Sequence, residues 1–372
     1  MPTEKAHGIQ IAKMCEAFIE AGVDVTLVVP HRATDSRSVQ EYYHLRTAVP
    51  IIRLKALDWY TGGRVGYFFA SLSFMCAYLF FVWRKKKQGE RFVLYTVDTD
   101  NYSSSALAFL GIPLFTEMHG AKKNTFAQRL LFTHTQGVIA INSIIVEELK
   151  ETFPHASARY IVEPNGVDLS SFVSVNKKEA RTQLELPQDE PIVLYAGRFF
   201  EWKGLGILPE AAKLTPFIRW QVVGGTQEEF IRIVTTTVPG NVHFAGSRPH
   251  SEMHLWFSAA DALVVLGTVR DVQSYRYTSP MKLFEYLAAG RPIIASKTPA
   301  INEAVSEKEV LFYEPDHAKD LARKAEISVA RDVEIVAQVE AALRRAEKAT
   351  WKNRAERIVG FIRDTTGTLG HA

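Results

Sequence analysis

Apolar positions along the chain follow two alternating rhythms. Ile11, Met14, Cys15, Phe18 and Ile19 recur at i, i+3, i+4, i+7 and i+8, which is one face of a helix. Gly22 suits its end, and residues 23–29 then read as a buried strand stopped by Pro30. Short apolar runs at 92–96, 114–117 and 138–141 read as parallel strands. After residue 190 the rhythm restarts with runs at 192–196, 220–223, 242–245, 262–266, 293–295 and 311–313. Helix-length stretches separate most of these runs, and Thr226 with Glu229 is the capping-box signal for one of them. The alternation predicts an α/β protein whose parallel sheets are covered on both faces.

A chain of 372 residues is too long for one ordinary core and predicts two domains. Glu163-Pro164-Asn165-Gly166-Val167-Asp168 carries a Pro and an Asn-Gly turn signal, and a polar stretch from 170 to 190 follows. Two doubly wound domains are therefore expected, over 1–168 and 169–350. Open α/β sheets bind ligands at the carboxyl ends of their strands, so the expected ligand site is a cleft between two facing sheets. The first domain breaks the pattern. It opens with a turn, residues 1–8, and runs straight into a helix, so its first strand is missing. A strand upstream of residue 1, or another segment, is expected to fill the open sheet position.

Composition narrows the functional classes. With 47% hydrophobic and 23% charged residues the chain buries enough apolar surface to fold. A net charge of +3 argues against a dedicated nucleic-acid binder. Cys15 and Cys76 offer neither a metal-ligand spacing nor a disulfide framework, which suits a reducing, cytoplasmic compartment. Glu4, Lys5, Lys13 and Glu16 leave no apolar core for a secretory signal at the start.

Three clusters carry candidate chemistry. Gly197-Arg198 and Lys203-Gly204 follow the run 192–196, and two cations beside glycines at a strand end suit a diphosphate; a solvated loop with two surface charges fits equally. In Ser279-Pro280-Met281-Lys282-Leu283-Phe284-Glu285-Tyr286, Ser279 suits a helix N-cap, Pro280 the first turn, and Gly290 the far end. Amides at such a helix start attract phosphate oxygens. Glu285 would accept two hydrogen bonds from a ribose diol, or else pair with Lys282 on the helix surface. Glu117-Met118-His119-Gly120 places His119 at a strand end, where it would bind a sugar hydroxyl, carry a proton, or simply be a polar loop residue. Asp98-Thr99-Asp100 has the spacing of a weak divalent-cation site; the alternative is a solvated loop.

Together these residues resemble glycosyltransferase family 4, retaining enzymes of the GT-B fold. Ala6-His7-Gly8-Ile9-Gln10 resembles the family's N-terminal glycine loop, and Glu163 to Asp168 its inter-domain segment. Gly197-Arg198 with Lys203-Gly204 resembles its phosphate motif, and Ser279 to Tyr286 its donor helix. Trp351 with Arg354-Ala355-Glu356-Arg357 resembles the terminal helix, 351–372, that crosses back to the first domain. The resemblance implies sugar transfer from a nucleotide-diphosphate sugar with retention, without a metal or other cofactor. Arg198 and Lys203 would neutralise the diphosphate, and Ser279 to Lys282 would present amides to it. Glu285 would hold the ribose, His119 would approach the sugar, and Gly8 would offer its N–H. It implies a sugar or lipid-linked acceptor in envelope or polysaccharide assembly. One departure stands out: Tyr277 occupies the position eight residues before Glu285 where the family often has Glu. That keeps two other readings open, a non-catalytic nucleotide-sugar binder and a GT-B nucleotide-sugar epimerase.

Residues 66–83 carry no charge, and Arg84-Lys85-Lys86-Lys87 follows. Eighteen residues at 1.5 Å each reach about 27 Å, just short of a hydrocarbon core. Residues 66–87 read as a crossover helix of the first domain, as contact with an anionic membrane surface, or as a span. A span would tear the sheet apart, because the next strand run begins at residue 92.

Overall fold

The computed structural model describes residues 3, 6–32, 38–97, 104–172, 175–330 and 332–367. The candidate cation site Asp98-Thr99-Asp100 lies outside the described residues. The chain divides into two compact units: Met1–Glu163 with Trp351–Ala372, and Pro164–Thr350. The division falls after residue 163, where the sequence pattern put it after 168.

In unit 1 the strands are β1 (Leu27–Pro30), β2 (Ile51–Leu54), β3 (Leu94–Val97), β4 (Leu114–Met118), β5 (Gly137–Ala140) and β6 (Arg159–Val162). Unit 2 contributes β7 (Ile192–Ala196), β8 (Arg219–Val223), β9 (Val242–Phe244), β10 (Ala262–Val265), β11 (Ile293–Ser296) and β12 (Leu311–Tyr313). Every strand pair is parallel. Unit 2 forms one six-stranded sheet in the order β12-β11-β10-β7-β8-β9. That is a doubly wound sheet with its first strand in the middle. Along β7, Val193 and Tyr195 join one core and Leu194 and Ala196 the other, as the two-residue period of a strand requires.

Unit 1 is built on the same plan but is divided into a β1-β2 pair and a separate β3-β4-β5-β6 sheet. Its first element among the described residues is the helix Ala6–Glu20, so the opening strand is absent there, as the sequence pattern predicts. That helix buries every residue from 12 to 18. It reaches both sheets. The Glu16 carboxylate accepts from the amides of Arg46 and Thr47 on the approach to β2, while Phe18 meets Tyr95 of β3 edge-on at 5.5 Å. The helix starts five residues before Ile11. Gly8 therefore sits in its first turn and not in a loop.

The polar stretch before β7 is tied down and includes the helix Lys177–Gln183. Arg181, 1% exposed, donates to the carbonyls of Pro187, Gln188, Glu190 and Ala259 and to the Asp261 carboxylate.

The uncharged segment, 66–83, lies within the helix Gly63–Lys87. It is not a core helix: only Gly66, Ala70, Ser71 and Val82 are buried.

Candidate functional site

Three glycines meet at the carboxyl ends of β7, β8 and β9. Gly197 donates its N–H to Val223 O at 2.8 Å, and Gly224 donates to Gly246 O at 2.9 Å. A Cβ on Gly224, whose φ is 137°, would lie 2.1 Å from Gly197 O. At 224 only glycine lets the backbones touch, and together the three leave a shelf without side chains beside the strand ends. A surface cavity lined by Thr226, Val242, Phe244 and Gly246 opens next to it.

Cations gather around the shelf. Arg198 follows Gly197 and is exposed. Lys203 closes a short 3-10 turn, Glu201–Lys203, that ends on left-handed Gly204. Its Nζ donates to Arg198 O at 2.9 Å and lies over the rings of Phe200 and Trp202. Burial, together with the charges of Lys282 and Arg198, pulls the Lys203 pKa down to about 8. The crowding disfavours the charged form of Lys203, and an anion placed among the three cations relieves that cost.

The helix Met281–Leu287 is fixed to the same strand end. Tyr286 OH accepts from the amide of Ala196, the last residue of β7, at 3.0 Å. Gly290, at φ 63°, follows the helix in the left-handed conformation expected there. The N-terminus differs from the sequence expectation. Ser279 does not cap the helix; Pro280 holds the cap position without a side-chain bond. The Ser279 hydroxyl and carbonyl instead accept from the backbone N–H and side-chain Nδ2 of Asn165, at 3.4 and 2.7 Å.

Glu285 is buried, and both its oxygens are engaged. Lys282 Nζ donates to Oε2 at 2.6 Å, and His250 Nε2 lies 3.0 Å from Oε1. Burial raises its pKa, but Lys282 and His250 outweigh that and hold it down at about 2. The pair with Lys282 forms, yet within the protein and not on an open helix surface. A diol binding here must share or displace these partners. Tyr277 ends a five-residue π-helix, Gln273–Tyr277, an irregular turn of the kind found often at functional sites.

In unit 1, His119 follows β4 and is held by a buried carboxylate. Its Nε2 lies 2.8 Å from Glu117 Oε1. Glu117, fully buried, also accepts from Gln10 Nε2 at 2.6 Å, from Tyr95 OH, and from Arg354 Nη2 at 2.8 Å. Burial pushes the Glu117 pKa up, but Arg354 and His119 more than offset this and keep the group ionised. Arg354 lies on the last helix, Trp351–Thr366, and also donates to Glu163 O, while Arg357 binds the Glu163 carboxylate in a fork at 2.7 and 2.8 Å. Gly8 is packed under a Thr3–Tyr43 clasp, since a Cβ there would lie 2.4 Å from both side chains.

The structure thus brings Gly197, Arg198, Lys203, Lys282 and Glu285 together in unit 2, while Gly8 and His119 belong to unit 1. The sequence alone gave no sign of His250 beside Glu285. It also gave no sign that Glu117, not only His119, is the hub of the unit 1 network.

The sequence model of Glycosyltransferase Family 4 matches residues 8–171, and that of Glycosyl transferases group 1 matches residues 176–338. A D-inositol 3-phosphate glycosyltransferase of Mycobacterium tuberculosis is 28% identical over 158 residues, which are 40% of this chain and 32% of the relative. The match therefore spans about a third of that relative's length. Among solved structures, sucrose-phosphate synthase from Thermosynechococcus elongatus is 21% identical with a TM-score of 0.75, over 98% of this chain and 94% of that one. A Rickettsia africae glycosyltransferase is 15% identical with a TM-score of 0.74, over 98% and 96%. Anabaena HepE, solved with UDP and glucose, is 16% identical with a TM-score of 0.70, over 97% of each chain. With its two halves matched in tandem and its two Rossmann-like units fitting GT-B structures along almost their whole length, this chain belongs to glycosyltransferase family 4.

Proposed function

We propose that the protein transfers a sugar, with retention, from a nucleotide-diphosphate sugar to a sugar or lipid-linked acceptor. The observation that carries this reading is the convergence of Arg198, Lys203 and Lys282 beside the glycine shelf of β7 and β8, with ionised Glu285 on the adjoining helix. HepE, which shares this fold, is solved in complex with UDP and with UDP-glucose, and this supports a nucleotide-sugar donor.

In this reading the diphosphate lies among the three cations and the nucleoside extends over the shelf toward Gly246. Negative charge builds on the leaving phosphate as the sugar–oxygen bond lengthens. Arg198 and Lys203 already stand where that charge develops, so they stabilise the transition state more than the ground state. Fixed cations take the role a metal would otherwise fill, and turnover survives chelation. The ribose takes one oxygen of Glu285, and Lys282, released from that oxygen, turns to the phosphate. We assign His119 to a hydroxyl of the transferred sugar, with Glu117 orienting its ring. The work is cytoplasmic, at the inner face of a membrane, and residues 66–87 provide the contact.

Tyr277 and the fully engaged Glu285 favour a second reading, a homologue that binds nucleotide sugar without turning it over. The test is to incubate the protein with a panel of nucleotide sugars and lipid-linked and free sugar acceptors, with mass spectrometry as the readout. Release of nucleoside diphosphate with a glycosylated product supports transfer. Tight binding with no release supports the second reading and overturns the first.

A further inference from the structure

The helix Gly63–Lys87 has an outer face that water does not explain. Val65, Phe69, Leu72, Cys76, Phe80 and Trp83 recur at spacings of four, three, four, four and three. At 100° per residue they fall within about 80° of arc, a single stripe along the helix. The stripe faces outward: Val65 is 60%, Phe69 48%, Phe80 63% and Trp83 46% exposed. The residues of the helix that are buried against the body of the unit are Gly66, Ala70, Ser71 and Val82. A helix on the surface of a water-soluble domain carries polar residues on its outer face. Here the outer stripe is apolar.

Charge identifies what covers the stripe. The helix holds five cations, Arg64, Arg84, Lys85, Lys86 and Lys87, and no carboxylate. A second copy of the same helix brings cations against cations at its basic end when parallel, and Arg64 against that end when antiparallel. Anionic lipid headgroups supply the missing opposite sign, and acyl chains take the stripe. Tryptophans stand near both ends, Trp59 at 47% and Trp83 at 46% exposure, as suits the boundary between headgroups and hydrocarbon.

The orientation follows from how the helix is tied to unit 1. At its start, a Cβ on Gly66 would meet Trp59 O at 2.3 Å, and Ser73 Oγ accepts from Leu57 N at 2.9 Å. At its end, Lys86 Nζ donates to Leu110 O and Lys85 pairs with Glu90 at 2.7 Å. Strands β2 and β3, before and after the helix, belong to the same unit. Both ends are therefore held on one side, which excludes a span although length and composition suffice for one. We infer that the helix lies in the plane of an anionic membrane surface, with the stripe from Val65 to Trp83 sunk into the acyl boundary and Arg84 and Lys87 at the headgroups. This deepens the membrane contact of the proposed function but rests on none of the donor-site residues.

The test is flotation of the full chain with phosphatidylcholine vesicles with and without phosphatidylglycerol. The wild type should float with anionic vesicles at low salt and much less at high salt. Each cation near such a surface contributes about a fivefold factor, so Arg84→Gln and Lys87→Gln together should weaken binding about 25-fold. Phe69→Ser with Phe80→Ser should also abolish flotation, with far-UV circular dichroism unchanged. Trp83 fluorescence should be quenched by lipids brominated high in the acyl chain. No flotation of the wild type, or a dimer by light scattering that the Ser pair dissociates, overturns the inference. Release by detergent alone, with β2 and β3 on opposite sides in protease protection, overturns the in-plane orientation. Nucleoside diphosphate release from a soluble donor, read on the same variants, reports the proposed reaction separately.

Discussion

The two units follow one plan and differ most at the centre. In unit 2, β7 lies at the centre, paired with β8 on one side and β10 on the other. In unit 1, β1 and β2 take the places of β8 and β9, and β3 begins the other half, but no strand among the described residues joins the halves. The consequence reaches the chemistry. Unit 2 places its candidate site with backbone, because Gly197 leaves β7 directly and packs on Gly224. Unit 1 places its site with side chains. Gly8 is held under the Thr3–Tyr43 clasp and His119 by Glu117, whose charge depends on Arg354 some 237 residues away. Where no described strand joins the halves, the positioning is done by a buried ion pair in place of backbone hydrogen bonds.

Arg354→Leu tests that contrast most severely. It leaves Glu117 buried without its counter-charge, a loss of about 3–5 kcal/mol. Hydrogen exchange should show protection collapsing in β4 and β5 while β7, β8 and β10 keep theirs. Equal loss in both units would break the contrast. Arg198→Ala and Lys203→Ala should do the reverse. Each should cost about 2–4 kcal/mol in turnover, as loss of one oxyanion-type donor does, with no change in thermal unfolding. Near-normal turnover by both variants would remove the phosphate assignment.

A smaller effect should appear in the wild type. A two-stranded sheet is marginal by itself, so amides of β1 and β2 should exchange faster than those of β7 and β8 by about tenfold or more. Matching rates would mean that the helix Ala6–Glu20 alone joins the halves of unit 1 firmly. The smallest effect concerns pH. Lys203 titrates near 8 because burial and two neighbouring cations disfavour its charge. Diphosphate prefers the charged form, so affinity should hold below that pH and fall several-fold as pH rises through it, by calorimetry. Lys203→Arg should flatten the profile, since guanidinium stays charged. An unchanged profile in the wild type would place the anion elsewhere.

Legibility in the sequence followed burial. Strands covered on both faces, such as β7, β10 and β11, are unbroken apolar runs and were readable as such. Strands β2 and β6 escaped the pattern because Arg53 and Arg159 face outward on half-buried strands, which breaks a four-residue run. The glycines and cations of unit 2 were legible because they sit next to their strand in the chain. His250 was not, because the fold brings it to Glu285 across 35 residues. Ser279 misled because its local signal is that of a cap, whereas its hydrogen bonds are taken by Asn165 across 114 residues. The helix Gly63–Lys87 was readable in composition, but which face meets the protein is a property of packing alone.

The fork from Arg357 to Glu163, with Arg354 behind it, carries a consequence for biosynthesis. Residue 163 and the last helix meet only after all of unit 2 has been made, because Pro164–Thr350 lies between them in the chain. A ribosome therefore delivers unit 2, though second in sequence, as the first unit able to close. Until then Glu117 waits without its arginine. A nascent chain stalled just before Trp351 should yield to protease in β4 and β5 yet resist in β7 and β8, and adding the last helix should reverse the first result alone.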